Sequence, residues 1–77
     1  MMEELRYILN EINPDVDYDT EQHLVSDRIF TSFELLMLIS RLNEAFDIEI
    51  TPERIIPENF DSEERIRAMI TEILEEE

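Results

Sequence analysis

Thr31–Phe46, TSFELLMLISRLNEAF, is the stretch that decides the fold. Leu35, Leu36, Leu38, Ile39, Leu42, Ala45 and Phe46 recur in it at helical spacing, which predicts an amphipathic helix at the centre of the core. Thr31 followed three residues later by Glu34 is the pattern of a capping box, in which each side chain bonds the other residue's amide. Phe30 before the cap and Leu35 at the fourth helical position are spaced as a hydrophobic staple. That leaves Ser32 as the first helical residue, with a hydroxyl the cap does not use. It lies at the positive end of the helix dipole, where free backbone amides favour an anion. In the plain reading, Thr31 and Ser32 only start a helix. In the chemical reading, Ser32 is a hydroxyl that can carry a phosphate.

Composition narrows the rest. The 77 residues predict one domain over 1–77. A chain this short buries only about 60% of its unfolded surface, so its core is small. Cysteine is absent, which excludes disulfides, thiolate metal sites and a catalytic thiol. Glycine is absent too, which excludes phosphate-cradling glycine loops and leaves helices to end on Asn, Asp or Pro. Twenty-one acidic residues against six basic ones give a net charge of −15. Such a chain should repel nucleic acid and anionic membranes, favour basic partner surfaces and stay monomeric. The 43% hydrophobic content and clear periodicity argue against disorder. No basic N-terminal region or long apolar run is seen, so no targeting segment or membrane insertion is expected, and a cytoplasmic setting is.

On the N-terminal side, Leu5, Ile8, Leu9 and Ile12 give residues 1–12 a one-faced helical pattern that Asn13-Pro14 stops. Residues 13–30 form a long connection without a period, to be pinned by Val16, Leu24, Val25, Ile29 and Phe30. Asp15, Asp17 and Asp19 imitate a calcium loop, but Thr20 stands where its glycine belongs and Ser26 where its bidentate glutamate belongs. On the C-terminal side, Asp47–Ile50 reads as an extended link burying Ile48 and Ile50. Thr51-Pro52 opens a short helix that Pro57 ends, and Pro57–Phe60 reads as a loop with one apolar anchor. Asp61 with Glu64 forms a second box, and Ile66, Met69, Ile70, Ile73 and Leu74 give the last helix its apolar face. Glu75–Glu77 should fray, since acids at a helix C-terminus oppose the dipole. The expected fold is all-α: a small four-helix bundle of three longer helices and one short third helix, with a long first loop.

No catalytic constellation emerges. His23 is the single histidine, with no cysteine or second histidine to share a metal, and reads as a surface loop residue. No metal site and no enzyme activity are expected, and Met37 and Met69 read as packing residues. Phe33 falls beside Met37 and Ser40, away from the core-facing residues of the central helix. An exposed Phe33–Met37 pair ringed by Glu34 and Glu44 would make a docking surface; alternatively, the loop over 13–30 folds back and covers it.

Three segments together carry a resemblance: LVSDRIFTSFELL over Leu24–Leu36, LNEAFDIEITP over Leu42–Pro52, and ENFDS over Glu58–Ser62. In order and spacing they resemble an acyl or peptidyl carrier protein, the phosphopantetheine-attachment domain. The Ser-Phe pairing and the Glu-Asn-Phe stretch are closest to the D-alanyl and aminoacyl carrier branch. The resemblance implies an acyl-carrier-type bundle whose Ser32 bears 4′-phosphopantetheine, donated from coenzyme A by a magnesium-dependent phosphopantetheinyl transferase. It further implies that an acyl or aminoacyl group rides on the arm as a thioester, for presentation to an adenylating ligase, transferase or synthase with a basic docking patch. Phe33, Glu34, Met37, Arg41, Glu44, Asp47 and Glu53 are the docking residues it suggests. This chain has Thr31 where the family usually has aspartate, and Arg28 where it often has glycine. The alternative is an unmodified helical adaptor that binds a basic partner through the central helix.

Overall fold

The computed structural model describes residues 3–76; the expected helical start at Met1 and Met2, and Glu77, lie outside them. The described residues form four α-helices: α1 Glu3–Ile12, α2 Ser32–Phe46, α3 Pro57–Phe60 and α4 Glu63–Glu76, with a 3₁₀ turn at Pro52–Arg54. No strand occurs among the described residues. The architecture is all-α: α1 packs on α2 and on α4, and α3 packs on α4.

The predicted apolar faces of α1 and α4 form the core. Leu5, Ile8, Leu9 and Ile12 meet Leu38, Ile39 and Leu42 of α2 and Ile66, Met69, Ile70 and Ile73 of α4 in one buried cluster. Ile48, Ile50 and Phe60 join it as expected, so the 47–50 link is extended to seat two isoleucines. Leu74 does not join: it is exposed, one position beyond the buried stripe of α4.

The third region differs from expectation in a simple way. Pro52 opens a helical turn as expected, but Pro57, expected to end it and to begin a loop, instead begins a helix of its own. Pro52 begins the 3₁₀ turn and Pro57 begins α3, each as a first helical residue whose missing N–H costs nothing there. Ile56 is held extended between them (φ −128°, ψ 152°), the conformation proline imposes on the residue before it. Thr51 makes no side-chain cap bond.

Asp61 does not cap α4. Its carboxylate accepts from the Val25 amide (3.0 Å), the Ser26 amide (2.8 Å) and the Ser26 hydroxyl (2.6 Å), and its carbonyl accepts from the Leu24 amide (2.9 Å). The cap falls to buried Ser62, whose hydroxyl accepts from the Arg65 amide at 3.1 Å. Asp61 thereby ties the long first loop to the α3–α4 corner. Tyr18 ties it to α1: its hydroxyl is shared between the carbonyls of Leu9 and Asn13, 2.8 Å from each, and satisfies the end of that helix. Burial pushes the Tyr18 phenol up to about 12, so it remains a donor throughout the ordinary pH range. The Tyr18 ring meets Phe30 edge-on, with centroids 6.4 Å apart.

Two arginine clusters hold the acidic surfaces together. Buried Glu63 receives Arg6 and Arg67, and Arg6 also reaches Asp19 at 2.7 Å. Arg54 pairs with Glu72 (2.7 Å) and Glu76 (2.6 Å). That pairing explains why α4 continues to Glu76 instead of fraying: the guanidinium neutralises the acids that would oppose the dipole.

The Asp61 carboxyl is half-buried, which alone would raise its pKa, but the bonds from Ser26 and Val25, with His23 nearby, hold it below its ordinary 3.8. A depressed folded-state pKa stabilises the fold above the unfolded value, and that stability is lost as pH falls through the folded value. Asp61→Ala should cost about 2 kcal/mol at neutral pH, a fall in Tm of roughly 10 °C for a domain this size. Thermal melts followed by circular dichroism should show the gap between variant and native protein narrowing below about pH 4. A gap that stays constant on acidification would contradict this account of Asp61.

Candidate functional site

The site is built by what precedes α2. Phe30 is buried, and its amide donates to the Leu24 carbonyl at 2.9 Å, so the residues before the helix are fixed. Thr31 is extended (φ −74°, ψ 166°), as an N-cap must be. Its hydroxyl accepts from the Glu34 amide at 3.0 Å, and the Glu34 carboxylate accepts from the Thr31 amide at 2.9 Å. Both halves of the expected capping box form. Phe30 and Leu35 both pack into the core, as the staple requires.

Ser32 follows as the first residue of α2 and is exposed. Its hydroxyl has no hydrogen-bond partner among the described residues, because the cap is completed by its neighbours. It opens onto a hollow of about 460 Å³ lined by Val25, Arg28, Phe30, Thr31 and Leu35.

Arg28 is the one charged residue lining that hollow. Its backbone is left-handed (φ 57°), a region that costs a non-glycine residue roughly 1–2 kcal/mol. Among the described residues it forms no ion pair, whereas Arg6, Arg41, Arg54 and Arg67 all do. Ser32 thus shares its hollow with an arginine that forms no ion pair among the described residues, at the amide end of a 15-residue helix in a chain of net charge −15. The helix amides and the Arg28 charge each favour an anion bonded to Ser32.

Along α2 the expected exposed side is present. Phe33 is 70% exposed and Met37 39%, with Ser40 also open. Two sequence expectations fail here. Leu36, placed on the core face, is 64% exposed and joins Phe33 and Met37 at i, i+3, i+4, and Ala45 is exposed as well. Met37 is accordingly a surface residue, while Met69 is packed in the core. Helical periodicity alone could not divide so apolar a helix between core and solvent.

The charged residues expected at a docking face are divided among different tasks. Glu34 is half-buried and committed to the cap. Arg41 is engaged by Glu11 of α1. Glu44 is exposed, roughly 18 Å along the helix from Ser32 at 1.5 Å per residue. Exposed Asp47 ends the helix in the left-handed region (φ 53°), its amide bonded to the Asn43 carbonyl, in the place glycine usually takes. Glu53 is exposed on the 3₁₀ turn. The structure thus brings Phe33, Leu36 and Met37 together next to Ser32, and sets the acidic residues further along. No helix among the described residues is long and apolar enough to cross a membrane. No protein-family model, curated protein or solved structure matches this chain.

The position of Ser32 depends on the cap. Thr31→Ala should cost about 1 kcal/mol, seen as a lower urea midpoint at unchanged slope. Thr31→Ser and Thr31→Asp, which keep an acceptor oxygen, should stay close to the native midpoint. Equal losses in all three variants would show that the cap bond is not what holds the helix start.

Proposed function

We propose that this chain is a carrier protein: Ser32 bears 4′-phosphopantetheine, and partner enzymes recognise the exposed side of α2. The observation that carries the reading is the Ser32 hydroxyl, exposed, unbonded among the described residues and set at the start of a firmly capped helix. A covalent phosphodiester there keeps one negative charge, favoured by the α2 amides and by Arg28. Attachment replaces the Ser32 O–H by an O–P bond. The diphosphate bond of coenzyme A breaks, adenosine bisphosphate leaves, and the proton passes to a base on the transferase. When bound, the arm supplies a thiol that holds an acyl or aminoacyl group as a thioester.

The chain's own part is presentation rather than catalysis. Ser32 anchors the tether, and the capping box holds the anchor still. Phe33, Leu36 and Met37 offer an apolar contact beside it, and exposed Glu44, Asp47, Glu49 and Glu53 favour partners with basic patches. Complementary charge of this kind speeds encounter more than it tightens binding, which suits a shuttle. The natural partners are a phosphopantetheinyl transferase and an adenylating ligase, acyl or aminoacyl transferase, or synthase.

The same apolar patch also supports the second reading, an unmodified adaptor that binds a basic partner through Phe33. Incubation with coenzyme A, magnesium and a broad-specificity transferase separates the two. The carrier reading expects an intact-mass gain of one phosphopantetheine, absent in Ser32→Ala. Failure to gain mass with several transferases, including any encoded nearby, would overturn it. The adaptor reading expects partner binding that survives Ser32→Ala and is lost in Phe33→Ala.

A further inference from the structure

We propose that Glu21, His23 and Asp27 form a binding site for one divalent transition ion of the Zn²⁺, Co²⁺ or Ni²⁺ class. One ligand atom from each lies within 4.8 Å of the other two. The convergence comes from a single turn. The Asp27 amide donates to the His23 carbonyl (3.0 Å), an i, i+4 closure that puts imidazole and carboxylate on the same side. Glu21 folds over that turn, its carboxylate accepting from the His23 amide at 3.0 Å.

Three further observations support a ligand set over a chance grouping of acids. The first is the imidazole. A nitrogen donor favours borderline ions over Mg²⁺ and Ca²⁺, which prefer all-oxygen shells. The second is availability: none of the three side chains takes part in an ion pair among the described residues, in contrast to Asp19, Glu63 and Glu72. The third is that the turn is held from outside the cluster, by the bonds from Leu24, Val25 and Ser26 to Asp61. The backbone that presents the ligands is therefore already ordered.

Metal bonds of about 2.0–2.2 Å require the donor atoms to close in from their present spacing. His23 and Asp27 are exposed and Glu21 half-buried, so side-chain rotation can do this without moving the core. Water completes the shell. The two carboxylates balance the ion's charge, and the net charge of −15 draws cations towards the surface. Asp15, Asp17 and Asp19 are no rival: Asp19 is held by Arg6, and that run has no nitrogen donor. The proposal is independent of the carrier reading and uses no residue of the Ser32 hollow apart from the shared loop.

Titration of the full chain with Zn²⁺, by calorimetry and NMR in a background of excess Mg²⁺, tests it. One ion should bind per chain, with the His23 ring signals shifting in step. Affinity should fall about tenfold or more (about 1.4 kcal/mol per tenfold) in His23→Gln and in Asp27→Asn. Asp15→Asn, outside the cluster, should bind as the native protein does. Circular dichroism of each variant confirms that the fold is kept. The proposal is overturned by absence of saturable binding, by affinity unchanged in His23→Gln, or by full displacement by Mg²⁺, which marks diffuse counterion binding.

Discussion

One carboxylate determines where the rest of this chain can go. Asp61 receives the Val25 and Ser26 amides and the Ser26 hydroxyl, and its carbonyl receives the Leu24 amide. Nineteen residues separate α1 from α2, with turns but no helix of their own, so their placement depends on ties to the helices. Fixing Leu24–Ser26 fixes Phe30, because the Phe30 amide bonds back to the Leu24 carbonyl. Buried Phe30 delivers Thr31 to its capping position, and Thr31 delivers Ser32. An exposed hydroxyl at a helix start is thus positioned by a side chain 29 residues further along, at the opposite end of the fold's second half.

The charge balance sets the second constraint. With 21 acidic and six basic residues, self-repulsion opposes compaction, and each arginine matters. Arg6 and Arg67 converge on Glu63, which joins α1 to α4 and draws in Asp19 from the loop. Arg54 secures the acidic end of α4, and Arg41 joins α2 to α1 through Glu11. Arg6 and Arg41 serve as interhelical ties rather than as surface decoration. Most of these pairs are partly exposed, so each contributes modestly and weakens with salt. Screening would relieve the wider repulsion at the same time, so added salt has opposing effects on stability. Glycine's absence is met in a similar way. Asn43 gathers the end of α2, its carbonyl accepting from Asp47 and Ile48 and its side chain from Ile50.

Local features were legible in the sequence where their causes are local. The α2 capping box, the one-faced pattern of α1, the α4 stripe through Ile73 and the buried Ile48–Ile50 pair all depend on residues within one or two turns. What was not legible depends on partners distant in the chain. Asp61 resembles a helix cap until the loop amides are seen to occupy it. Tyr18 carries no periodic signal, yet closes α1 and seats Phe30. Prolines mark both ends and beginnings, and only the pre-proline geometry of Ile56 shows that Pro57 begins a helix. Glu21, His23 and Asp27 are spaced for no familiar metal motif and meet only because a turn brings them together. At the candidate site, Ser32 was legible from its cap, while Arg28 became notable only once its backbone proved left-handed and its guanidinium unpaired.

The division of α2 follows from these ties. A helix with apolar residues on most of its circumference would ordinarily be wrapped on all sides. Here α1 and α4 belong to the same core as Leu38, Ile39 and Leu42, and the first loop contributes Tyr18, Leu24 and Phe30 to that core. Tyr18 binds the loop to the end of α1, and Asp61 binds it to the α3–α4 corner. A loop held at both points is not free to swing across Phe33, Leu36 and Met37. The exposure of that patch is therefore a consequence of the fold's own anchors. It places an apolar contact beside an unspent hydroxyl, with the exposed acidic residues further along, on a helix whose start is closed by a complete capping box. Contact area of this size binds weakly without charge complementarity, so a partner suited to it combines an apolar recess with basic residues.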